Sequence, residues 1–436
     1  MIKILVIGSG AREHAIIKSL YKSSKKKTIY CLGTNNNPGI ADLCSELLVK
    51  NINDPEIVKS YAKEKKINFA IIGPENPLAN GIVDALLDIE IHSIGPKKAL
   101  AQIETSKSFT RNLLTTYKIP GTPKFKVFNT MNGVDDFLSV LGENYVIKYD
   151  GLAGGKGVKV AGDHLKSHKE AKQYCQELID KGGSFVIEKK LIGEEFSLMS
   201  FCDGNSLTHM PAVQDHKRAF EDDTGPNTGG MGTYSDSDHS LPFLDDNHIK
   251  AAKNINERTA KALKEKFGEG YKGVLYGGFI ATIDGVYLIE YNARFGDPEA
   301  MNVLSILETD FIDICQSIIE ESLHQIKINF SNQATVCKYA VPEGYPDNPV
   351  KNKQLDISKV KNKDNLYYAS VELKNNTLFG LGSRSVAIIG TGDAIWEAEE
   401  IAENEISKVK GPVFHRKDIG TTKLLQKKIN NMASLK

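Results

Sequence analysis

Residues 147–160 read IKYDGLAGGKGVKV, a loop rich in glycine and lysine between two apolar, strand-like flanks. The loop resembles a Walker phosphate-binding loop, but its spacing differs, and Gly157 stands where a magnesium-binding serine or threonine is expected. Because strand patterns lie on both sides, the stretch predicts a hairpin instead of a strand-to-helix loop. Glycine-rich hairpins let backbone N–H groups approach phosphates closely. We therefore expect a lid over a nucleotide, with Lys148 in reach of a phosphate, or else an ordinary hairpin without a ligand.

The chain around this hairpin divides into several units. The first hundred residues alternate helix-like stretches with short β-rich runs that end at Gly8, Gly33, Gly73 and Gly95. This pattern predicts βαβ units and a parallel sheet, whose ligands bind beyond the carboxyl ends of the strands. The predicted fold class is α/β and α+β multidomain. The predicted units are an N-terminal α/β domain at residues 1–122, a small α+β unit at 123–193, a central domain at 194–328 and a strand-rich C-terminal domain at 329–436.

The composition limits the partners. Of 436 residues, 55 are Lys or Arg and 55 are Asp or Glu, so the formal net charge is zero. A balanced charge argues against broad binding of nucleic acid or anionic membranes. The opening MIKILVIGSG is too short an apolar run for a signal sequence, and the six cysteines form no Cys-x-x-Cys pair. We expect a cytoplasmic protein that binds small molecules and neither nucleic acid nor membranes, as a monomer or alternatively a dimer.

The first glycine loop, GSGAREHA at residues 8–15, follows a strand pattern and opens a helix pattern. Glu13 occupies the place of the third glycine of a dinucleotide fingerprint, and the second strand ends without an acid for a ribose hydroxyl. These departures disfavour NAD. The N–H groups of a helix start, together with Arg12, still suit a phosphate or carboxylate. A tight turn without a ligand is the alternative.

The stretch YLIEYNARFGDPEA at residues 287–300 has the alternation of a strand. Period two puts Glu290, Asn292 and Arg294 on one face. A carboxylate and an amide oxygen suit Mg²⁺, and an arginine beside them suits a developing anion. The alternative is an exposed polar face of an antiparallel sheet.

A long polar segment, QDHKRAFEDDTGPNTGGMGTYS at residues 214–235, combines charged side chains with a glycine cluster. Long irregular segments in compact domains are usually functional or disordered, and linkers rarely combine Asp215, Lys217 and Arg218 in this way. His216 by itself is more often a structural histidine, because no nucleophile or zinc-ligand spacing accompanies it.

The end of the chain is predicted to hold a late helix with Ile395, Ala398 and Ala402 on one face. Trp396 lies in this helix and is expected in the core or in a subunit contact. The last ten residues, KKINNMASLK, are expected to form a frayed tail.

Together with IGPENPL at residues 72–78 and FHRKDIG at 414–420, these motifs resemble the phosphoribosylamine–glycine ligases, ATP-grasp enzymes of de novo purine (IMP) biosynthesis. The matches keep the family's order from residue 8 to Gly420. The resemblance implies an ATP-grasp fold, with the small unit as its lid, between an N-terminal parallel-sheet domain and a C-terminal strand-rich domain. It implies that ATP phosphorylates glycine and that 5-phosphoribosylamine attacks the glycyl phosphate. The implied products are glycinamide ribonucleotide, ADP and phosphate.

The resemblance also implies site residues. Glu290 and Asn292 would hold Mg²⁺ or Mn²⁺, ATP would be a co-substrate, and the other substrates would be glycine and 5-phosphoribosylamine. The implied catalytic residues are Arg294, Lys217 and Asp215. The implied ATP-binding residues are Lys107, Lys148, Gly154, Gly155, Lys156, Gly157, Glu188, Lys189, Leu191 and Glu195. The implied substrate-binding residues are Gly10, Arg12, Glu13, Glu75, Arg218, Asp297 and Pro298.

The sequence departs from the family pattern at three places. Ala11 stands where a second consecutive glycine is usual, and Lys189 and Lys190 replace an acidic and an apolar or aromatic residue. The stretch VLYGGFIATI at residues 274–283 lacks the additional metal-binding acid of many relatives. Another ATP-grasp ligase with a different amine substrate remains the second hypothesis. A non-catalytic nucleotide-binding regulator is the third, against which the intact Glu290 and Arg294 argue.

Overall fold

The structure of the chain is a computed structural model that describes residues 1–154 and 157–435. Its N-terminal part confirms the predicted parallel sheet, in the order β3-β2-β1-β4-β5. The continuous apolar run of β1 is typical of a parallel strand covered by helices on both faces. The strands are β1 Ile2–Ile7, β2 Lys27–Gly33, β3 Glu46–Val49, β4 Phe69–Ile72 and β5 His92–Ile94. The helices are α1 Ala11–Lys22, α2 Pro38–Ala41, α3 Pro55–Lys65, α4 Glu75–Ala79, α5 Ile82–Leu87, α6 Lys98–Thr105 and α7 Lys107–Thr116.

The next unit is a four-stranded antiparallel sheet in the order β6-β9-β7-β8. The pairing of β7 with β8 confirms the predicted hairpin, although Gly155 and Lys156 at its tip lie outside the described residues. Two helices cover the sheet and enclose a core of its own, which includes Phe128, Ile147 and Cys175. The elements are β6 Phe125–Phe128, α8 Val134–Leu141, β7 Tyr145–Tyr149, β8 Val158–Val160, α9 His168–Asp180 and β9 Phe185–Lys189.

A second antiparallel sheet, in the order β11-β10-β16-β17, forms the floor below this unit. In β17, Glu290 lies opposite Gly278 of β16. The strand ends at Asn292, so Arg294 lies in the turn that follows and not on the strand face that the alternation predicted. The elements are β10 Glu194–Asp203, β11 Leu207–His209, α10 Asp246–Phe267, β16 Lys272–Thr282, β17 Gly285–Asn292, α11 Glu299–Ser305 and α12 Phe311–Ile319.

The polar segment at residues 214–235 is not irregular, because its two ends pair with each other and its second end also pairs with a strand in the C-terminal part of the chain. Its first and last strands join a six-stranded sheet with the path β12-β15-β18-β23-β20, in which the sixth strand, β24 (Val413–Phe414), pairs with β18. The middle of the segment forms the β13–β14 hairpin. The pairings of β12 with β15 and of β13 with β14 lie within the segment, whereas the pairing of β15 with β18 joins distant parts of the chain and is predicted by no local pattern. The strands are β12 Gln214–Asp215, β13 Arg218–Phe220, β14 Thr224–Asn227, β15 Gly232–Ser235, β18 Ala334–Pro342, β20 Leu366–Tyr368 and β23 Val386–Gly392.

The C-terminal helices correct two expectations. Ile395, Ala398 and Ala402 are buried as predicted, but Trp396 is 56% exposed and is therefore not in the core. The expected frayed tail is wrong, because the capped helix Thr422–Ser434 runs through it and buries Met432. Among the described residues, no helix is both long and apolar enough to cross a bilayer. The remaining elements are β19 Lys353–Leu355, β21 Val371–Lys374, β22 Thr377–Gly380, α13 Ile395–Ile406, β24 Val413–Phe414 and α14 Thr422–Ser434.

Candidate active site

A cleft of about 1030 Å³ lies between the hairpin unit and the β10–β17 sheet. Every part of the chain reaches it: Glu75 from the N-terminal part, Lys148 from the hairpin unit, Glu290 from the floor and Arg384 from the C-terminal part. The predicted site residues that line it are Arg12, Glu75, Lys107, Lys148, Gly154, Gly157, Glu188, Lys189, Leu191, Glu195, Asp215, Lys217, Arg218, Glu290, Asn292, Arg294 and Asp297.

Three predicted site residues, Gly10, Glu13 and Pro298, do not line the cleft. The Glu13 carboxylate turns back onto its own loop, where it accepts a hydrogen bond from the Gly10 N–H at 2.6 Å and pairs with Arg12 Nε at 2.6 Å. A Cβ atom at Gly73 would overlap this carboxylate. Glu13 therefore fills the loop and caps α1, which leaves Arg12 to face the cleft.

The carboxylate of Glu290, at the end of β17, lies among cations. Lys217 Nζ lies 3.6 Å from Glu290 Oε1 and 3.7 Å from Glu195 Oε2. Burial by itself raises the pKa of Glu290, but Lys217, Lys107, Lys148 and Arg294 outweigh burial and lower it to about 2. Glu290 is therefore ionised at neutral pH. Because β17 continues to Asn292, a carboxylate and an amide oxygen stand at the end of one strand, a donor set that fits Mg²⁺ or Mn²⁺.

Arg294 lies beside these oxygens and is held by two acids. Its Nη2 lies 2.9 Å from Glu104 Oε1, and its Nη1 donates to the Phe295 carbonyl at 3.1 Å. Its Nε lies 3.5 Å from Glu75 Oε2 and has no hydrogen-bond acceptor among the described residues. Burial would lower the pKa of Arg294, but Glu104 and Glu75 raise it. The site thus holds a permanent cation with a donor left over. Sequence reasoning missed Glu104, which ends α6 and carries no motif.

A buried triad stands at the back of the cleft, where Glu188 of β9 pairs with both Arg111 and Lys148. The distance from Arg111 Nε to Glu188 Oε2 is 2.8 Å, and Lys148 Nζ also donates to the Ile289 carbonyl at 2.9 Å. Burial raises the pKa of Glu188, but Arg111 and Lys148 outweigh burial and lower it. The sequence reading missed Arg111. Its one signal is its place in α7, four residues after Lys107, on the same helix face.

The glycine cluster at residues 229–230 forms the opposite wall with two acids. Asp215 Oδ1 is buried and has no hydrogen-bond partner among the described residues, and burial together with Glu299 raises the pKa of Asp215. The carboxylate oxygens of Asp297 are both engaged, by Tyr339 Oη at 2.6 Å and by Arg384 Nη2 at 3.1 Å. Asp215 Oδ1 is therefore an unused acceptor among the described residues, whereas each carboxylate oxygen of Asp297 already has a partner. No sequence signal marked Arg384.

His216 belongs to a structural charge network. Its Nδ1 lies 3.2 Å from Asp223 Oδ1, and Asp223 also contacts Arg416 Nη1 and Lys428 Nζ, each at 2.8 Å. Burial lowers the pKa of His216. Lys428 lies on α14, so the C-terminal helix supports this wall of the cleft, and the FHRKDIG motif contributes through Arg416.

One ion pair crosses the mouth of the cleft. Arg218 Nη2, on the β13–β14 hairpin, lies 2.8 Å from Asp163 Oδ2, which follows β8 of the hairpin unit. Both side chains line the cleft and are partly exposed. Arg218, which was predicted to bind substrate, is engaged with the hairpin unit in this conformation.

A lid hairpin over an antiparallel floor, with lysines, an ionised glutamate and an arginine between them, defines an ATP-grasp protein. Residues 105–300 match the family model for the ATP-grasp (A) domain of phosphoribosylglycinamide synthetase. The chain also shares its fold with a biotin carboxylase–β-γ-ATP complex from Campylobacter jejuni. The TM-score is 0.73 over 98% of this chain and 96% of that one, and the identity is 14%.

The neighbouring regions match the same synthetase. Residues 2–104 match its N domain and residues 335–422 match its C domain. The chain is 48% identical over 434 residues to a phosphoribosylamine–glycine ligase of Methanosarcina barkeri, covering 100% of both chains. A crystal structure of a phosphoribosylamine–glycine ligase from Thermotoga maritima matches with a TM-score of 0.80 and 27% identity, over 96% of this chain and 100% of that one. The chain belongs to the phosphoribosylamine–glycine ligase family.

Proposed function

We propose that the chain ligates glycine to 5-phosphoribosylamine at the expense of ATP, giving glycinamide ribonucleotide, ADP and phosphate in purine biosynthesis. The observation that carries this proposal is the ionised Glu290 at the end of β17, set between Lys217 and Arg294 below the lid hairpin. Membership of the family and the cleft's access from every part of the chain support the same conclusion.

The chemistry explains why these groups stand together. A carboxylate is a poor electrophile, so the γ-phosphoryl group of ATP moves to a glycine carboxylate oxygen and ADP leaves. The amine nitrogen of 5-phosphoribosylamine then bonds to the acyl carbon, loses a proton, and phosphate leaves with that oxygen. Phosphoryl transfer depends mainly on positioning and charge neutralisation. The glycyl phosphate must be kept from water, which is the task of the lid.

The proposed nucleotide contacts follow the cleft wall. Lys107 and Lys148 contact the phosphates, and the lid hairpin covers them with Gly154 and Gly157. Gly155 and Lys156, which the family resemblance also assigns to ATP binding, lie outside the described residues. Glu188 and the backbone of Lys189 and Leu191 hold adenine, and Glu195 holds the ribose. Glu290 and Asn292 bind Mg²⁺ or Mn²⁺, which when bound neutralises charge on the phosphates.

The proposed amino-acid contacts use the vacant donors and acceptors. Asp215 Oδ1, buried without a partner, accepts from the glycine ammonium group. Arg294 faces the carboxylate and the acyl phosphate, and Lys217 bridges the metal-binding and ribose-binding acids. Arg12, Glu75 and Arg218 contact 5-phosphoribosylamine, and Asp297 lines the cleft beside them. Gly10, Glu13 and Pro298 lie behind the cleft lining and support these contacts indirectly.

The proposed division of the chain is into four units: residues 1–122, 123–193, 194–328 and 329–436. We propose that the chain acts in the cytoplasm as a monomer. Sedimentation at working concentration tests the oligomeric state, and a dimer would contradict it.

The test is ADP release with each substrate omitted in turn, followed by glycine labelled with ¹⁸O in its carboxylate. We expect ADP only with glycine and 5-phosphoribosylamine together, and one ¹⁸O atom in the released phosphate. If another amino acid, such as D-alanine, or bicarbonate replaces glycine equally well, the chain is a different ATP-grasp ligase. If ATP binds but ADP never forms with any of these substrates, the chain is a regulator.

A further inference from the structure

We propose that Arg111 is a positioning residue that leaves Lys148 free to bind the triphosphate and fixes the metal-binding end of β17. The inference rests on the proposed function for the identity of the nucleotide. Arg111 lies in the interior of α7 with 4% of its side chain exposed, and it does not line the cleft. It therefore acts through its neighbours and cannot contact ATP itself.

The first part of the argument is charge. Arg111 and Lys148 share one acid, Glu188, so the three side chains carry a net charge of one positive unit. Lys148 and Glu188 alone would form a neutral buried pair, and a phosphate would have to compete with a buried carboxylate for the lysine. Breaking such a pair is costly in a low-dielectric interior. Arg111 offsets Glu188 and leaves the charge of Lys148 for the nucleotide.

The second part is geometry. Arg111 Nη1 donates to the Leu288 carbonyl and Nη2 to the Ile289 carbonyl, each at 2.9 Å. Lys148 Nζ donates to the same Ile289 carbonyl at 2.9 Å. Ile289 directly precedes Glu290, so one guanidinium ties α7, β9 and the metal-binding strand together. A lysine lacks the planar, forked donor group of arginine, so a lysine at this position could not donate to Glu188 and to both carbonyls at the same time.

The experiment compares two ligands that differ only in phosphates. Binding of adenosine and of the non-hydrolysable analogue AMP-PNP with Mg²⁺ is measured by calorimetry for Arg111→Met, Arg111→Lys and the double variant Arg111→Met/Glu188→Gln. The matched control is Arg258→Met, since Arg258 also donates to backbone carbonyls, of Lys118 at 2.8 Å and Tyr117 at 3.4 Å, but from an exposed position on α10.

We expect Arg111→Met to weaken AMP-PNP binding about tenfold, the usual scale for a lost charged contact, and adenosine binding less than about threefold. Relative to adenosine, which shares the adenine contact proposed for Glu188, the double variant should bind AMP-PNP at least about threefold more tightly than Arg111→Met does, because it removes the carboxylate that competes for Lys148. Arg111→Lys should fall between Arg111→Met and the parent, and Arg258→Met should match the parent.

Equal losses for adenosine and AMP-PNP, or no recovery in the double variant, would overturn the proposal. If Arg111→Met does not fold, Arg111→Gln, which also removes the charge but keeps a hydrogen-bond donor, decides: a selective loss of AMP-PNP binding supports the proposal, and unchanged binding refutes it. The binding measurements do not depend on ligation. A parent protein that binds AMP-PNP but forms no product from glycine and 5-phosphoribosylamine would refute the proposed function alone.

Discussion

Replacing Arg294 with alanine should abolish most turnover while nucleotide binding persists. The guanidinium has five N–H donors, and its hydrogen bonds among the described residues go to Glu104, Phe295 and, at 3.4 Å, Asn292 Oδ1. At least one charged N–H is therefore left for negative charge that develops on the glycine carboxylate and its phosphate. Losing one such donor costs about 2.7–4 kcal/mol, or about 10²–10³ in kcat.

The assay is ADP formation at saturating glycine, 5-phosphoribosylamine and Mg²⁺, beside AMP-PNP binding to the same variant. Removing Arg294 also leaves Glu104 buried without its cation. The double variant Arg294→Ala/Glu104→Gln separates the two effects, because it should regain thermal stability and not kcat. Arg258→Ala on α10 is the arginine control and should keep the parent's activity.

A folded Arg294→Ala variant whose kcat stays within about threefold of the parent would refute this reasoning, since a catalytic donor is worth far more than that. Equal loss of AMP-PNP affinity and kcat would refute it as well, because the arginine would then act in binding and not on the developing charge.

Three further outcomes follow from other contacts. Glu290→Gln should raise the Mg²⁺ concentration for half-maximal ADP formation about tenfold or more, because a hard cation loses its charged ligand; an unchanged metal titration would contradict the assignment. Asp163→Asn should speed nucleotide release about two- to fivefold in stopped-flow, the scale of a partly exposed pair with Arg218, and an unchanged rate would show that the pair does not hold the lid. Burial raises the pKa of Glu403, but His415 and Lys338 outweigh burial and lower it to about 2. Its stabilisation is therefore present above its unfolded pKa of about 4.3 and is lost as pH falls toward about 2. In the Lys338→Met variant, the free energy of unfolding measured in urea should fall less steeply with decreasing pH than in the parent. The same pH dependence in both proteins would show that the Lys338–Glu403 pair does not cause the loss of stability in acid.

Sequence patterns of a few residues correctly predicted those structural features that depend on neighbouring residues. Alternating strand and helix signals gave the N-terminal parallel sheet, and glycine between two strand patterns gave the lid hairpin. The positions of Glu290 and Asn292 on β17 also follow from the two-residue period of a strand. Such features depend on residues within a few positions of one another.

Arg294 and Glu13 mark the limit of those patterns. The period predicted Arg294 on the strand, but β17 ends two residues earlier, because pairing with β16 decides where a strand stops. Glu13 was predicted to bind substrate because it is charged and belongs to the glycine loop. Its carboxylate instead fills the space beside Gly73 and accepts the Gly10 N–H, so it points away from the cleft.

The sequence by itself determined the family motifs, most element types and those charged residues of the cleft that belong to motifs, such as Lys148, Lys217 and Glu290, since each rests on short-range chemistry. Only the tertiary structure decided which distant groups support them: Glu104 beside Arg294, Arg111 beside Glu188, Arg384 over the glycine cluster, and α14 behind His216. These partners are separated by tens to hundreds of residues. Burial in one interior makes each buried charge require a counter-charge, but it does not specify from which part of the chain that counter-charge comes.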